Sequence, residues 1–355
     1  MAEWRRNSTA KQLSDFFREE LGRQRWTGTM PGVIRLSNEL GVSRNTVEAA
    51  LRDLEQTGIL KSQGKGRGRT IHLDSERSAR RGIRVGILNY EASDRSAPDM
   101  LDLYAKLEEN GHMVDIASKT LEDLGHRADR VACLVETMPV DAWIVLAGSL
   151  EVLEWFARSS FPTIAYAGRA RNIEIASITP DKVTPLREAV RRLTDLGHQR
   201  IVMMVREDRR FPEPGFAERA FLEELENSGI ATGSFNLPDW NQTIEGFHAS
   251  LDSLFRFTPP TALITDEVPF AVATMQFCLA RGLKIPEDLS LVCGDPGRAF
   301  DWCHPAIAHI EWNYRPVVRR MVRWVENVSQ GKRDLRKSYS PASFVEGGTI
   351  GPVAG

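Results

Sequence analysis

From Ile83 onward the chain alternates short apolar segments with longer amphipathic ones, and this alternation limits the possible folds more than any other feature. The segment Ala142–Leu146 is apolar throughout, as a strand covered on both faces would be. The segment Val183–Leu196 carries apolar residues at a spacing of three and four, as one face of a helix would. Regular alternation of strands and helices predicts the α/β class, in which helices cover parallel sheets. The stretch up to Ile350 is long enough for two lobes, each with its own sheet and helices.

The predicted strands are short and apolar: Arg84–Leu88, Met113–Ala117, Ala142–Leu146, Thr163–Ala167, Ile201–Val205, Ala262–Ile264 and Leu289–Cys293. The predicted helices between them include Met100–Asn110, Val183–Leu196, Ala217–Ser228, Ile244–Phe255, Pro269–Arg281 and Pro316–Ser329. Ligands of open α/β sheets bind beyond the carboxyl ends of the strands. With two lobes, the cleft between them is the expected binding site.

The first 73 residues follow another pattern. Three sets of apolar residues at helical spacing predict three helices: Leu13, Phe16, Phe17 and Leu21; Val33, Leu36 and Leu40; and Val47, Ala50, Leu51 and Leu54. Gly41 ends the second helix, and Ser43 is placed to cap the third. Ile59–Lys61 and Thr70–Leu73 predict two short strands joined by a glycine-rich basic turn. Helix, helix, glycine turn and helix is the helix-turn-helix order.

The third helix opens on Ser43-Arg44-Asn45-Thr46, which gathers hydrogen-bond donors at its first turn. Arg44 can donate two bonds to a guanine, and Asn45 can bond a base edge or a phosphate. Residues 1–82 hold 16 Lys and Arg against 10 Asp and Glu, whereas the remainder holds 30 against 38, which favours a polyanionic partner for the first part. The predicted DNA contacts are Arg35, Ser43, Arg44, Asn45, Thr46, Lys65 and Arg67.

The motif Glu39-Leu40-Gly41-Val42-Ser43-Arg44-Asn45-Thr46-Val47, with Met30-Pro31 before it and the Gly64/Gly66 turn after it, resembles the winged helix of GntR-family bacterial repressors. The resemblance implies DNA contacts from Arg44, Thr46 and the wing. This chain has Ile34 where that family usually has arginine, and Arg35 follows one step later, which turns the side chain by about 100°. The alternative for Lys65 and Arg67 is a solvated hairpin.

Asp74–Gly82 contains no apolar residue larger than alanine and is predicted to be an exposed linker. The expected organisation is therefore a winged helix-turn-helix domain over residues 1–73, a linker over 74–82 and a two-lobed domain over 83–350.

Four segments of the two-lobed part resemble LacI-type sensor domains: Leu193–Ile201 (LTDLGHQRI), Pro260–Asp266 (PTALITD), Arg281–Val292 (RGLKIPEDLSLV) and His304–Ile310. They lie in order and at suitable spacing between about residues 180 and 330. The resemblance implies the fold of periplasmic sugar-binding proteins, with two Rossmann-like lobes, three crossovers and a ligand between the lobes. It also implies a dimer.

The resemblance, together with position, suggests five effector-binding residues: Tyr90, Arg219, Trp240, Asp266 and Asp295. Four of them have an alternative or rest on position alone. Asp266 can cap a helix, Asp295 can cap a loop, Trp240 can belong to the core of a lobe, and Tyr90 is chosen by position alone. Arg219 lies two residues after Ala217, which holds the position of the family's arginine. Arg169 and Arg219 together would favour an acidic sugar.

The sequence offers no catalytic or metal motif. Its seven histidines form no HExxH pattern, no GxSxG elbow occurs, and Cys133, Cys278, Cys293 and Cys303 show no CxxC pair. We therefore expect no enzyme activity, no cofactor and no metal. No apolar run approaches a membrane span, and the first residues have no apolar signal core, so a cytoplasmic protein without a membrane partner is expected.

These observations predict a homodimeric, sequence-specific transcription regulator, in the first instance a repressor. It would bind a pseudo-palindromic double-stranded operator and respond to a small metabolite, expected to be a carbohydrate, between its lobes. The alternative is a DNA-binding head fused to a metabolite-converting enzyme domain.

Overall fold

A computed structural model describes residues 9–22, 25, 26, 28–64, 68–71 and 82–353. Lys65 and Arg67, predicted to contact DNA, lie outside the described residues. The same holds for the predicted linker apart from Gly82. The chain divides into an N-terminal compact unit, here called the head, and a larger unit that begins at Arg84, here called the body.

The head has three helices and three short strands in the predicted order: α1 (Thr9–Gly22), β1 (Thr29–Met30), α2 (Val33–Leu40), α3 (Arg44–Gln56), β2 (Leu60–Ser62) and β3 (Arg69–Ile71). The strands form one antiparallel sheet in the order β1-β3-β2. Gly41 has a φ of 67°, the left-handed conformation that ends α2, as predicted. Apolar residues from all three helices form one core, which includes Phe17, Leu36 and Leu51.

The body contains eleven strands and nine α-helices among the described residues. The strands are β4 (Arg84–Leu88), β5 (Met113–Ile116), β6 (Ala142–Leu146), β7 (Thr163–Tyr166), β8 (Ala176–Pro180), β9 (Ile201–Met204), β10 (Ala262–Thr265), β11 (Ser290–Cys293), β12 (Ala308–Trp312), β13 (Lys337–Ser340) and β14 (Ala342–Val345). The helices are α4 (Pro98–Glu109), α5 (Ala128–Thr137), α6 (Leu150–Arg158), α7 (Val183–Asp195), α8 (Glu207–Arg210), α9 (Phe216–Asn227), α10 (Ile244–Phe257), α11 (Val268–Ala280) and α12 (Arg315–Ser329).

Two sheets define two lobes. The sheet of the first lobe has the order β13-β8-β7-β6-β4-β5 and is parallel throughout. The sheet of the second lobe has the order β14-β12-β11-β10-β9, and only β14 runs antiparallel to its neighbour. Helices cover both sheets, so the strands β6 and β9 are buried along their whole length. The prediction of two α/β lobes is confirmed.

The chain passes between the lobes three times. The first passage leads from β8 to α7, the second from β12 through α12 to β13, and the third from β13 to β14. The first and third passages take only one or two residues, Asp181 with Lys182 and then Pro341. These short passages bring the carboxyl ends of strands from both sheets to a common cleft.

Within the described part of the chain, no helix is both long and apolar enough to span a bilayer.

Candidate functional site

The cleft between the lobes has a volume of about 960 Å³. On the first-lobe side its floor is backbone from the ends of β6 and β7. There Ala147 and Ala167 take φ angles of 45° and 58°, which L-residues seldom adopt, and Gly168 takes 74°. A Cβ on Gly168 would lie 2.6 Å from the backbone nitrogen of Gly148. The two strand ends can therefore approach this closely only because a glycine stands there.

Lys182, in the first passage between the lobes, lies at the centre of the cleft wall. Its Nζ bonds the carboxylate of Asp295 and lies 3.9 Å from that of Asp266. The same ammonium group lies 4.7 Å from the ring centroid of Trp312. Burial disfavours the charge on Lys182, but Asp295 and Asp266 outweigh that effect and raise the pKa of the ammonium.

Arg209, on the short helix α8 that follows β9, contacts the same group of acids. One of its nitrogens lies 2.8 Å from Glu218 and another lies 3.6 Å from Asp266. Burial opposes ionisation of Asp266, yet the charges of Arg209 and Lys182 outweigh it and lower the pKa of that carboxyl. For Asp295 burial prevails, and its pKa is raised. The two acids predicted from the sequence therefore sit in different electrostatic states.

Arg206 links the two lobes. Its guanidinium donates to both carboxylate oxygens of Glu267 in the second lobe, at 2.6 and 2.7 Å, and to Glu91 in the first lobe at 2.9 Å. It also lies 4.9 Å from the ring centroid of Tyr90. Burial raises the pKa of Glu267 to about 7 in spite of the Arg206 charge. The lobes are thus joined by a group whose ionisation changes near neutral pH.

Two tyrosines of the first lobe present their hydroxyls to acids. The Tyr90 hydroxyl donates to Asp208 of the second lobe at 3.4 Å and accepts from Gln242 at 3.2 Å. The Tyr166 hydroxyl donates to Asp99 at 2.9 Å. Burial and these carboxylates raise the pKa of both phenols, so each acts as a neutral donor.

Arg169 is held by the protein itself. From the first lobe it donates to the backbone carbonyls of Asp208, Phe211 and Glu213 at 3.2, 2.6 and 2.8 Å. Its guanidinium is therefore occupied by the second lobe. The interpretation of Arg169 as a recognition group for an acidic sugar is wrong for this arrangement, because its donors face these carbonyls.

Four of the five predicted effector residues line the cleft: Tyr90, Arg219, Asp266 and Asp295. Arg219 lies at the rim, where it donates to the carbonyl of Pro214 at 3.0 Å and to Glu213 at 3.4 Å. The helix-capping alternative for Asp266 receives no support, since the residue at the cap of α11 is Glu267 and no side-chain cap bond is formed there.

Trp240 lies elsewhere, and its prediction as a ligand contact is wrong. It is 8% exposed and packs edge-on against Phe247 and Phe270 in the core of the second lobe. Its indole nitrogen donates to the carbonyl of Val205 at 2.9 Å. Both the ring and its polar atom are therefore used within the lobe, as the core alternative states.

Sequence reasoning missed most of the residues that line the cleft, among them Lys182, Arg206, Arg209, Glu267 and Trp312. A positional signal existed for two of them, because Arg206 and Glu267 each follow the last residue of a predicted or observed strand by two positions. The carboxyl-end rule would have selected both. Lys182 and Trp312 were missed because they adjoin strands β8 and β12, which the sequence analysis did not identify.

In the head, the first turn of α3 has the predicted cap. The Ser43 hydroxyl accepts from the backbone N–H of Thr46 at 3.2 Å and lies 2.8 Å from the Thr46 hydroxyl. Arg44 and Asn45 are exposed beside it, and Arg35 is exposed on α2. The helix start thus presents free polar groups on a surface fixed by its cap.

Strand β3 is fixed against α3 by one arginine. Arg69 donates to Glu55 at 2.8 Å and to Glu48 at 2.9 Å. Both carboxylates lie on α3, so the strand has a defined place beside that helix.

Among the residues that the structure describes, no group of three or more His, Cys, Asp or Glu could hold a metal ion.

The fold and the cleft define a class: a two-lobed, periplasmic-binding-protein-like domain. Residues 190–350 match the family model described as a periplasmic binding protein-like domain. The body therefore has the fold of the sensor domains found in LacI-type regulators, as two kinds of relative illustrate.

Two sequence relatives carry regulator names. The chain is 29% identical over 153 residues to an uncharacterised HTH-type transcriptional regulator of Streptomyces limosus, with 42% of this chain and 43% of that protein covered. It is 23% identical over 180 residues to the HTH-type transcriptional repressor CytR of Escherichia coli K12, with 50% and 52% covered. The chain thus spans about half the length of each of these relatives.

Solved structures share the fold. A LacI family transcriptional regulator from Bifidobacterium animalis superposes with a TM-score of 0.61 at 21% identity, covering 78% of this chain and 99% of that one. The transcriptional regulator CelR in complex with cellobiose superposes with a TM-score of 0.62 at 16% identity, covering 90% of this chain and 100% of that one.

Proposed function

We propose that this protein is a sequence-specific transcription regulator, acting as a repressor, whose operator affinity is controlled by a small metabolite bound in the cleft. The observation that carries this proposal is a cleft whose charged walls come from both lobes, in a chain that also contains a unit built like a DNA-reading head. A ligand that contacts both lobes changes the arrangement of the body. If it binds the DNA-competent and incompetent states unequally, it must shift operator affinity, typically by about 1–3 kcal/mol.

The head is proposed to be a winged helix-turn-helix of the GntR type. Three helices followed by an antiparallel strand pair support this reading. The capped start of α3 would enter the major groove, with Arg44 donating to a guanine and with Asn45 and Thr46 beside it. Ser43 and Arg35 would meet phosphates, and Lys65 and Arg67 are the proposed wing contacts.

The proposed partners are a second copy of this chain and a pseudo-palindromic operator. A two-fold dimer presents two recognition helices, so its half-sites should repeat in inverted order. The names of the relatives support regulation, since CytR is a repressor by name and none of the proteins reported above is named as an enzyme. CelR was solved with cellobiose, which supports a carbohydrate-like ligand for this cleft.

The deciding experiment is selection of genomic DNA fragments by the purified full-length protein at moderate salt, followed by sequencing. Enrichment of one inverted repeat is the expected result. Uniform recovery of all fragments would mean that the protein binds only the DNA phosphate backbone, without sequence preference, and would overturn the proposal.

The selection has a matched control on the same helix. Arg44→Ala should lose the enriched motif, whereas Arg52→Ala, an exposed arginine two turns further along α3, should retain it. Loss of the motif in both variants would mean that α3 contributes only its overall charge.

A further inference from the structure

The cleft contains more acids than bases. Ten Asp and Glu side chains line it against six Lys and Arg. The innermost basic side chains are each shared by two carboxylates: Lys182 by Asp266 and Asp295, Arg209 by Asp266 and Glu218, and Arg206 by Glu91 and Glu267. The cleft therefore carries a negative charge that its own side chains do not neutralise.

Two of these carboxylates are almost fully buried, and one of them accepts no hydrogen bond from the side chains paired with it. Asp266 is 4% exposed, and its contacts with Arg209 and Lys182, at 3.6 and 3.9 Å, are longer than hydrogen bonds. Glu218 is 0% exposed and pairs with Arg209, whose nitrogen lies 2.8 Å from one of its oxygens. An ionised carboxylate has about four acceptor positions, so Asp266, which lines the cleft, calls for additional donors there.

The first-lobe wall adds two acids that form no ion pair with any described residue. Asp94 accepts the backbone N–H of Glu91 at 2.9 Å, and Asp99 accepts the hydroxyl of Tyr166 at 2.9 Å. Both line the cleft, and both partners are neutral. A charged donor would gain a charge-assisted bond here, about twice as strong as a neutral one.

Building on the proposed ligand cleft, we propose that its ligand is a polyhydroxylated amine, with the ammonium group directed to Asp94 and Asp99 and the hydroxyls to the acids of the second lobe. A neutral sugar supplies hydrogen-bond donors but leaves the surplus negative charge of the cleft unbalanced. A sugar acid brings a further carboxylate into a cleft that already repels one. The amino-sugar class satisfies both the hydrogen-bond and the charge requirement.

The test uses sugars of the same ring configuration that differ in one substituent, which is an amine, a hydroxyl, an acetamide or a carboxylate. Binding to the full-length protein is measured by calorimetry at pH 7 with D-glucosamine, D-glucose, N-acetyl-D-glucosamine and D-glucuronate, and with the corresponding galactose series. In at least one series, the amine should bind about 10-fold or more tightly than its neutral counterparts, and the acid should not bind. Affinity for the amine should fall with added salt.

Variants locate the ammonium group. Asp99→Asn should reduce the preference for amine over alcohol about 10-fold, which corresponds to one lost charge-assisted bond. The matched control is Asp102→Asn, the same change three residues further along α4 at a residue paired with Lys106 outside the cleft, and it should leave the preference unchanged. A circular dichroism melt of each variant separates loss of the preference from loss of folding.

Equal or tighter binding of a neutral or acidic sugar, or absence of binding by every amine, would overturn this proposal. The proposed regulator function is judged separately by operator binding. If a neutral sugar releases the operator, the proposed amine ligand is contradicted and the proposed regulator function is supported. An amine that binds but leaves operator affinity unchanged would support the ligand class and contradict effector control.

Discussion

The guanidinium of Arg206 donates to Glu91 across the cleft at 2.9 Å, so a basic side chain of the second lobe bonds an acid of the first. The same guanidinium is held in place by two bonds to Glu267. Arg206 therefore links the two lobes directly.

Glu91→Gln should loosen the contact between the lobes. The Glu91 side chain is partly exposed, so the pair is worth at most about 1 kcal/mol, or about a five-fold change in an opening equilibrium. Hydrogen exchange of the backbone amides at residues 207–216 should become up to about five-fold faster. Glu108→Gln, an exposed acid on α4, provides the control, and unchanged exchange in Glu91→Gln would argue against the link.

Glu267 should make stability depend on pH. Burial raises its pKa in the folded state to about 7 from an ordinary value of 4.5, so the folded state binds the proton more tightly than the unfolded chain. Its stabilising contribution is therefore complete below about pH 4.5 and is lost as the pH rises through 7. Glu267→Gln should flatten the melting temperature between pH 5 and 7 relative to the parent protein. Parallel curves for the two proteins would contradict the raised pKa.

Ser43 allows the cap to be separated from DNA contact. Ser43→Ala should lose about 1 kcal/mol of helix stability, because the Thr46 amide loses its acceptor. Ser43→Asp should restore the cap and yet weaken DNA binding, because it places a negative charge against the phosphates. Hydrogen exchange of the α3 amides measures the loss of helix stability. Fluorescence anisotropy with labelled operator DNA measures the loss of DNA binding. Operator binding by Ser43→Asp at the parent level would move the DNA surface elsewhere.

Arg44→Ala should cost about 1–3 kcal/mol in operator affinity and relax the sequence preference at one base pair. The measurement is a competition between operator and random DNA at fixed salt. A loss of the same size on both DNAs would assign Arg44 to the phosphates.

Trp240→Ala should destabilise the body by about 3–5 kcal/mol, because it removes a buried ring and leaves the Val205 carbonyl without its donor. Trp240→Phe should unfold at a lower temperature than the parent and bind the amine with unchanged affinity. Loss of ligand binding in a folded Trp240→Phe variant would return this residue to the site.

The sequence was most informative where burial is uniform. Strands β4 and β6 begin and end where predicted, because both are apolar and lie inside a parallel sheet. Strand β13 was missed because it reads Lys-Ser-Tyr-Ser and owes its conformation to pairing with Ser177–Pro180, about 160 residues earlier. Local periodicity contains no record of such a partner.

The same limit applies to the cleft. Asp266 could be chosen because it ends a segment that resembles LacI-type sensor domains, and Asp295 because it lies three residues after another such segment. The ion pairs of Lys182 with both acids form because Lys182 lies in a passage between the lobes. The spacing of residues along the sequence does not reveal this. Trp240 was misassigned because it stands where the resembled sensor domains place an aromatic residue over the ligand, and only its neighbours Phe247 and Phe270 show that it belongs to the core of the lobe.

The three passages between the lobes have a genetic consequence. Strands β13 and β14, which follow one another in the chain, are the outer strands of different sheets. A stop codon placed after Gly331 would therefore leave both sheets with an unpaired edge, at β8 in one and at β12 in the other. Neither lobe corresponds to one continuous segment of the gene. A deletion that removes one lobe would therefore also remove strands of the other, and the body should be functional only as a whole.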